Sequence, residues 1–181
     1  MRPSLLWLVL ACLLFTTCKK NDNPNPADQG EQLPPITQEG KNTFGCLLNG
    51  QVWLPGGNFG TPNFRVNYDP SYDGGTFDLR TYRYLRKDGT DEQYIIMYAN
   101  NIMTTGTYNF SNIQQTNVSL NDRATSCYYD SRDELNYAIG SFTITKFDET
   151  NRIIAGTFEF ILAKPGCDTI RVTQGRFDKR F

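Results

Sequence analysis

The clearest pattern in the chain is the run Arg152 to Leu162, RIIAGTFEFIL. Ile154, Phe158, Phe160 and Leu162 fall on one side of an extended backbone there, and Thr157, Glu159 and Ile161 on the other. That period of two marks a strand with one face in a core and one in water, because successive side chains of a strand point to opposite faces. No stretch of comparable length carries the 3.6-residue period of an amphipathic helix. The other apolar runs are short and punctuated by Gly, Pro, Asn and Asp. FGCLL and QVWL flank Asn49-Gly50, a dipeptide that accepts positive φ at both turn positions and so predicts a hairpin. Phe64 to Tyr68 and Thr76 to Leu85 flank the turn DPSYDGG and predict a second. Gln93 to Ala99 (QYIIMYA) is apolar at both parities and is expected at the centre of a sheet. Shorter strands are expected at Gly106 to Phe110, Val118 to Leu120 and Cys127 to Asp130, and a long one at Ala138 to Phe147. Asp168 to Thr173 and the closing GRFDKRF read as two further strands, and a short helix is placed near Asp130 to Leu135. The expected fold is all-β, about 8 to 11 short strands with little helix, as an antiparallel β-sandwich or a closed or partly open β-barrel. An outer-membrane barrel would suit the terminal Phe181, but Arg80 and Arg83 lie at alternate parities of one strand, and a lipid-facing band has to be apolar.

The N-terminus constrains location. Met1 and Arg2 give a short positive start, Leu5 to Phe15 (LLWLVLACLLF) an apolar run, and Thr16 and Thr17 lead to Cys18. The run is shorter than the ~20 apolar residues that span a bilayer, and Lys19 and Lys20 follow at once. It resembles the bacterial lipoprotein signal, which implies cleavage before Cys18 and lipid on its sulfur. Residues 1–17 are therefore expected to be a signal peptide, and residues 18–43 the lipidated cysteine with a disordered Pro/Asn-rich tether. Residues 44–181 form a single all-β domain in this reading. The tether holds Pro24, Pro26, Pro34 and Pro35 and few large apolar side chains, too little to offset ordering entropy. The implied location is the cell envelope, lipid-anchored at the outer membrane, facing the periplasm or the cell surface.

Removing residues 1–17 takes away one charge, Arg2, leaving 17 basic and 19 acidic residues and a formal charge of −2. Such a chain lacks the clustered cations that phosphate backbones require, so nucleic acid is not an expected partner. Cys12 leaves with the signal and Cys18 takes the lipid, so Cys46, Cys127 and Cys167 remain in the domain. One disulfide with one thiol left over, preferably Cys127 with Cys167, competes with three buried thiols and with a thiolate metal site. No Cys-x-x-Cys spacing occurs and the chain has no histidine, so neither a metal nor any other cofactor is expected.

FGCLLNGQVW, ITKFD, IIAGTFEF and the ending DTIRVTQGRFD resemble a family of small Bacteroidetes lipoproteins that share a domain of unknown function. The likeness spans Phe44 to Phe181, with GTFEF (156–160) and GRFD (175–178) its most specific pieces. It implies an envelope lipoprotein of all-β fold and brings no activity, substrate or catalytic residue.

The absence of histidine removes Ser-His-Asp, Cys-His and histidine-ligated zinc chemistry. Paired carboxylates for glycoside hydrolysis would have to come from Asp69, Asp73 and Asp78, or from Glu159, and turn formation or a solvated strand face explains these as well. The loops Asp69 to Gly74 and Asp88 to Glu92 offer oxygen ligands of the kind calcium takes, without an EF-hand pattern. Tyr68, Tyr72, Tyr82 and Tyr84 are candidate ligand-facing aromatics for a glycan, whereas Trp53 is expected in the core. Arg176 reads as a structural contact, and Gly156 and Gly175 as bulges or close approaches of strands. The expected function is a lipid-anchored, non-catalytic binding or scaffolding domain, with a glycan or another envelope protein as partner. A carbohydrate-binding accessory module and a carboxylate glycosidase are its alternatives.

Overall fold

The computed structural model describes residues 32–57, 60–84, 86, 88 and 90–181. The expected signal, Cys18 and the expected tether up to residue 31 lie outside the described residues. Among the described residues eleven strands follow in order: β1 (Thr43–Leu48), β2 (Gln51–Trp53), β3 (Phe64–Asp69), β4 (Thr76–Arg83), β5 (Gln93–Ala99), β6 (Gly106–Asn109), β7 (Thr116–Asp122), β8 (Cys127–Asp130), β9 (Tyr137–Asp148), β10 (Ile153–Ala163) and β11 (Ile170–Arg180). They form a six-stranded sheet in the order β2-β1-β11-β10-β9-β6 and a five-stranded sheet in the order β3-β4-β5-β7-β8. Every ladder is antiparallel and neither sheet closes into a barrel, so of the two architectures left open by the sequence this is the β-sandwich.

The β1–β2 turn places Asn49 at φ 50° and Gly50 at φ 83°, the left-handed pair whose twist matches the flanking strands. β5 is the middle strand of its sheet, as its apolar character at both parities requires. Two expectations are corrected. Asp168 to Thr173 and Gly175 to Phe181 are not two strands but the single β11, because Gln174 at φ 52° supplies a bulge that lets the ladders to β1 and β10 resume beyond it. The helix near Asp130 to Leu135 is absent. The carboxylates of Asp130 and Asp133 accept the backbone N–H of Arg132 (2.9 Å) and Leu135 (3.0 Å), closing successive turns that compete with a helix.

The core is built from aromatic rings that meet between the sheets. Phe77 of β4 stacks on Phe142 of β9 at 5.3 Å and touches Phe177 of β11 at 5.7 Å. Phe44 of β1 meets Phe64 of β3 at 5.5 Å, and Tyr68 of β3 meets Phe147 of β9 edge-on at 4.9 Å. Trp53 is fully buried, donating through Nε1 to Gln93 (3.0 Å) with the Arg83 guanidinium over its ring. Glycines let the large rings fit. Gly156 and Gly175 lie opposite Phe177 and Phe158 in the β10–β11 ladder, and a Cβ at either would collide with that ring.

The domain begins earlier than composition suggests. Composition places residues 32–43 in a tether, yet they belong to the same compact unit as the sandwich. The carboxylate of Asp178, itself buried, accepts hydrogen bonds from Thr37 Oγ1 (2.6 Å) and from the backbone N–H of Glu39 (3.0 Å), Gly40 (2.7 Å) and Lys41 (3.2 Å). Arg176 donates to the Pro34 carbonyl at 3.3 Å. The GRFD motif thus reads as a fastening: Gly175 admits Phe158, Phe177 enters the core, and Arg176 and Asp178 hold the preceding segment.

Candidate functional site

The two faces of the five-stranded sheet differ in chemistry. On β4, Phe77, Leu79 and Thr81 are buried and Asp78, Arg80 and Tyr82 alternate outward; on β5, Ile95, Met97 and Ala99 are buried and Tyr94, Ile96 and Tyr98 alternate outward. β8 does the same with Cys127 and Tyr129 inside, Tyr128 and Asp130 outside. Pairing register sorts the outward residues into three rows across the strands. One row reads Tyr82, Tyr94, Asn121, Tyr128; the next Arg65, Arg80, Ile96, Ser119, Asp130; the third Asn67, Asp78, Tyr98, Asn117, with Ser119 and Asn117 of β7 buried beneath their neighbours' side chains. Neighbouring strands lie about 4.8 Å apart, so each row is a line of side chains in mutual contact range.

The rings are held in place. Tyr128 is 43 % exposed and its hydroxyl donates to Asp130 (2.9 Å), while the Arg132 guanidinium covers one face of Tyr98 at 5.4 Å. Burial raises the Tyr98 phenol pKa, helped by Asp73 and Tyr72 close by. Burial would also push Asp130 up, but hydrogen bonds from Arg132, Asn117 and Tyr128 outweigh it and keep the carboxyl below its usual range. Asp78 pairs with Arg80 through Nε (3.0 Å) and Nη2 (2.8 Å). The result is a gently twisted surface with partly exposed tyrosine rings among fixed donors and acceptors. It suits an extended ligand lying across strands, since flat apolar ring faces with wet polar tips are what tyrosine offers.

The expected aromatics divide. Tyr82 lies on this face, its hydroxyl donating to the Thr61 carbonyl (2.5 Å), and Tyr84 follows it, edge-on to Tyr82 at 5.2 Å and bonded to Glu92 (2.8 Å). That bond, with burial, pushes the Tyr84 phenol up to about 12. Tyr72 is 65 % exposed in the turn after β3. Tyr68 is corrected from surface to core: inward parity on β3 buries its ring, and its hydroxyl donates to the Ile102 carbonyl (2.8 Å). Tyr94, Tyr98 and Tyr128 were missed. Their signal was the outward parity of β5 and β8, which only strand pairing turns into a surface.

The carboxylates singled out for chemistry have local partners. Asp69 accepts Ser71 N (2.9 Å) and Oγ (2.7 Å), Asp88 accepts Thr90 N (3.0 Å) and Oγ1 (2.7 Å), and Asp73 accepts Asn100 Nδ2 (2.6 Å). The first two are turn closures, and the third ties the β3–β4 turn to Asn100 after β5. Glu159 lies outward on β10. No group of three or more Cys, Asp or Glu converges among the described residues. Cys127 and Cys167 form a disulfide that joins β8 to the β10–β11 turn, and Cys46 is a buried thiol whose pKa burial pushes up to about 12. A thiol so held is protonated and inert at neutral pH. Comparison with protein-family models, curated proteins and solved structures finds no match to this chain.

Proposed function

We propose that the protein is a lipid-anchored envelope module whose outer five-stranded face binds a saccharide chain without acting on it. The observation that carries this reading is the row Tyr82, Tyr94, Asn121 and Tyr128, three rings and an amide aligned across four strands. Pyranose rings present flat C–H faces that pack on tyrosine, and their hydroxyls match the flanking Asn67, Asp78 and Asp130. Anchoring rests on the Cys18 pattern and is in keeping with the Cys127–Cys167 disulfide, a bond that persists in oxidising compartments. The resemblance to Bacteroidetes lipoproteins points the same way. Scaffolding of another envelope protein is the second reading, and the exposed Leu135, Tyr137 and Ile139 at the start of β9 speak for it.

Two measurements test the proposal. Cys18→Ala is expected to move the protein from the membrane pellet to the soluble envelope fraction, and its retention in the pellet would remove the anchor. On a glycan array, the full chain is expected to bind a subset of oligosaccharides, and Tyr94→Ala or Tyr128→Ala to weaken that binding about three- to tenfold per ring. Unchanged binding by both variants would move the site elsewhere.

A further inference from the structure

At the free edge of β3 the tyrosine face runs into a cleft of about 510 Å³, lined by Arg65, Asp78, Arg80, Lys179, Arg180 and Phe181 among others. Four cations line it against one side-chain carboxylate and the terminal carboxylate carried by Phe181, in a chain whose formal net charge is −1. Asp78 is already committed to Arg80 by a two-pronged pair. Arg65 sits directly opposite Arg80 in the β3–β4 ladder, exposed, and two like charges facing each other across strands oppose pairing. Lys179 has its ammonium 3.4 Å from the Phe64 carbonyl and over the Phe64 ring, and Arg180 reaches the Asn151 carbonyl. No ion pair joins Arg65, Lys179 or Arg180 to a carboxylate among the described residues, the terminal one at Phe181 included. Burial lowers the Lys179 pKa, the direction expected of an ammonium short of an anion.

We infer that this cleft takes the carboxylate or sulfate of an acidic saccharide, with Arg65 and Lys179 as its ligands, while neighbouring sugar rings lie on Tyr82 and Tyr94. The inference rests on the saccharide reading above and narrows it to anionic chains. The geometry is contiguous. Arg80 and Tyr82 project from the same face of β4 two residues apart, about 7 Å, so a ring on Tyr82 brings the next residue's acid to the Arg65–Arg80 pair. A guanidinium with no carboxylate of its own offers the planar fork that such an oxyanion fits.

The test is affinity electrophoresis of the full mature chain in detergent, through gels containing polygalacturonate, dextran sulfate, neutral dextran or poly-glutamate. Arg65→Glu, Lys179→Met and Tyr94→Ala are run beside it. Retardation by at least one acidic polysaccharide is expected, weakened about tenfold by Arg65→Glu and also by Lys179→Met and Tyr94→Ala. Which of the two polymers retards the chain identifies the group as carboxylate or sulfate. Equal retardation by neutral dextran, insensitive to Arg65→Glu, would overturn the anionic inference and leave the saccharide reading standing. Equal retardation by poly-glutamate, insensitive to Tyr94→Ala, would show attraction by charge alone and overturn the inference. Failure of every polysaccharide to retard the chain, with glycan-array binding lost too, would sink both. The exposed Arg65 side chain makes no hydrogen bond or ion pair among the described residues, and Arg65→Glu removes a like charge opposite Arg80, so a thermal transition that is not lowered separates loss of binding from loss of structure.

Discussion

Replacing Cys127 and Cys167 together by serine is expected to lower the free energy of unfolding by about 4 kcal/mol. The bond closes a loop of sequence separation 40, and the loop-closure entropy it removes from the unfolded chain amounts to about 4 kcal/mol at 25 °C. For a domain of ordinary stability, about 5 to 15 kcal/mol, that is a quarter or more of the total. Position adds to length. Cys127 opens β8, the last strand of its sheet, held by a four-residue ladder to β7, and Cys167 belongs to the turn joining β10 to β11 in the opposite sheet. Without the bond β8 should be the first strand to open, taking Tyr128 with it. Urea unfolding of the double variant checks the value, and hydrogen exchange at Tyr128 and Tyr129 checks the place. A loss under about 1 kcal/mol would contradict the entropic account.

Asp178→Ala is expected to cost about 3 kcal/mol and to free the segment before β1. The substitution leaves the N–H groups of Glu39, Gly40 and Lys41 and the hydroxyl of Thr37 without their common acceptor, and hydrogen bonds to a charged group are among the stronger ones. Faster trypsin cleavage after Lys41 should accompany the loss of stability. Burial alone would raise the Asp178 pKa, but the bonds from Thr37 and from the backbone of Glu39, Lys41 and Gly40 outweigh it and set the carboxyl below its usual value. The folded chain therefore binds this proton more weakly than the unfolded chain. Its stabilisation is complete above the ordinary aspartate value of about 3.9 and falls away as pH drops through the lower folded value. Asp178→Asn should lose that part of the acid dependence while keeping the side-chain volume. Parallel acid unfolding curves for wild type and Asp178→Asn would contradict the assignment.

Much of the fold was legible because it is written in local pattern. Asn49-Gly50 fixes a turn by its own φ preferences, and the alternation of Ile154, Phe158, Phe160 and Leu162 fixes which side of β10 is inside. What was not legible depends on partners far along the chain. Sandwich and barrel differ only in which strands pair at the edges, and β1 finds β11 across more than a hundred residues. Residues 32–43 look like a spacer because they carry little apolar surface, yet one buried carboxylate at position 178 orders them, and composition does not register a single hydrogen-bond hub. The tyrosine face had the same character. Tyr82 was visible as a candidate, but Tyr94 and Tyr128 join it only through the β4–β5–β7–β8 register.

The clasp at Asp178 also bears on the proposed anchor, because it brings the start of the folded unit to Gln32. Were Cys18 lipidated as proposed, 14 peptide units would lie between it and Gln32, where the folded unit starts, which bounds their contour at about 50 Å. A folded unit that began at Phe44 would raise that bound to about 90 Å. On that proposed anchor the domain would sample only the layer within this reach of its membrane, and the polymers it could grasp would be those that pass through it.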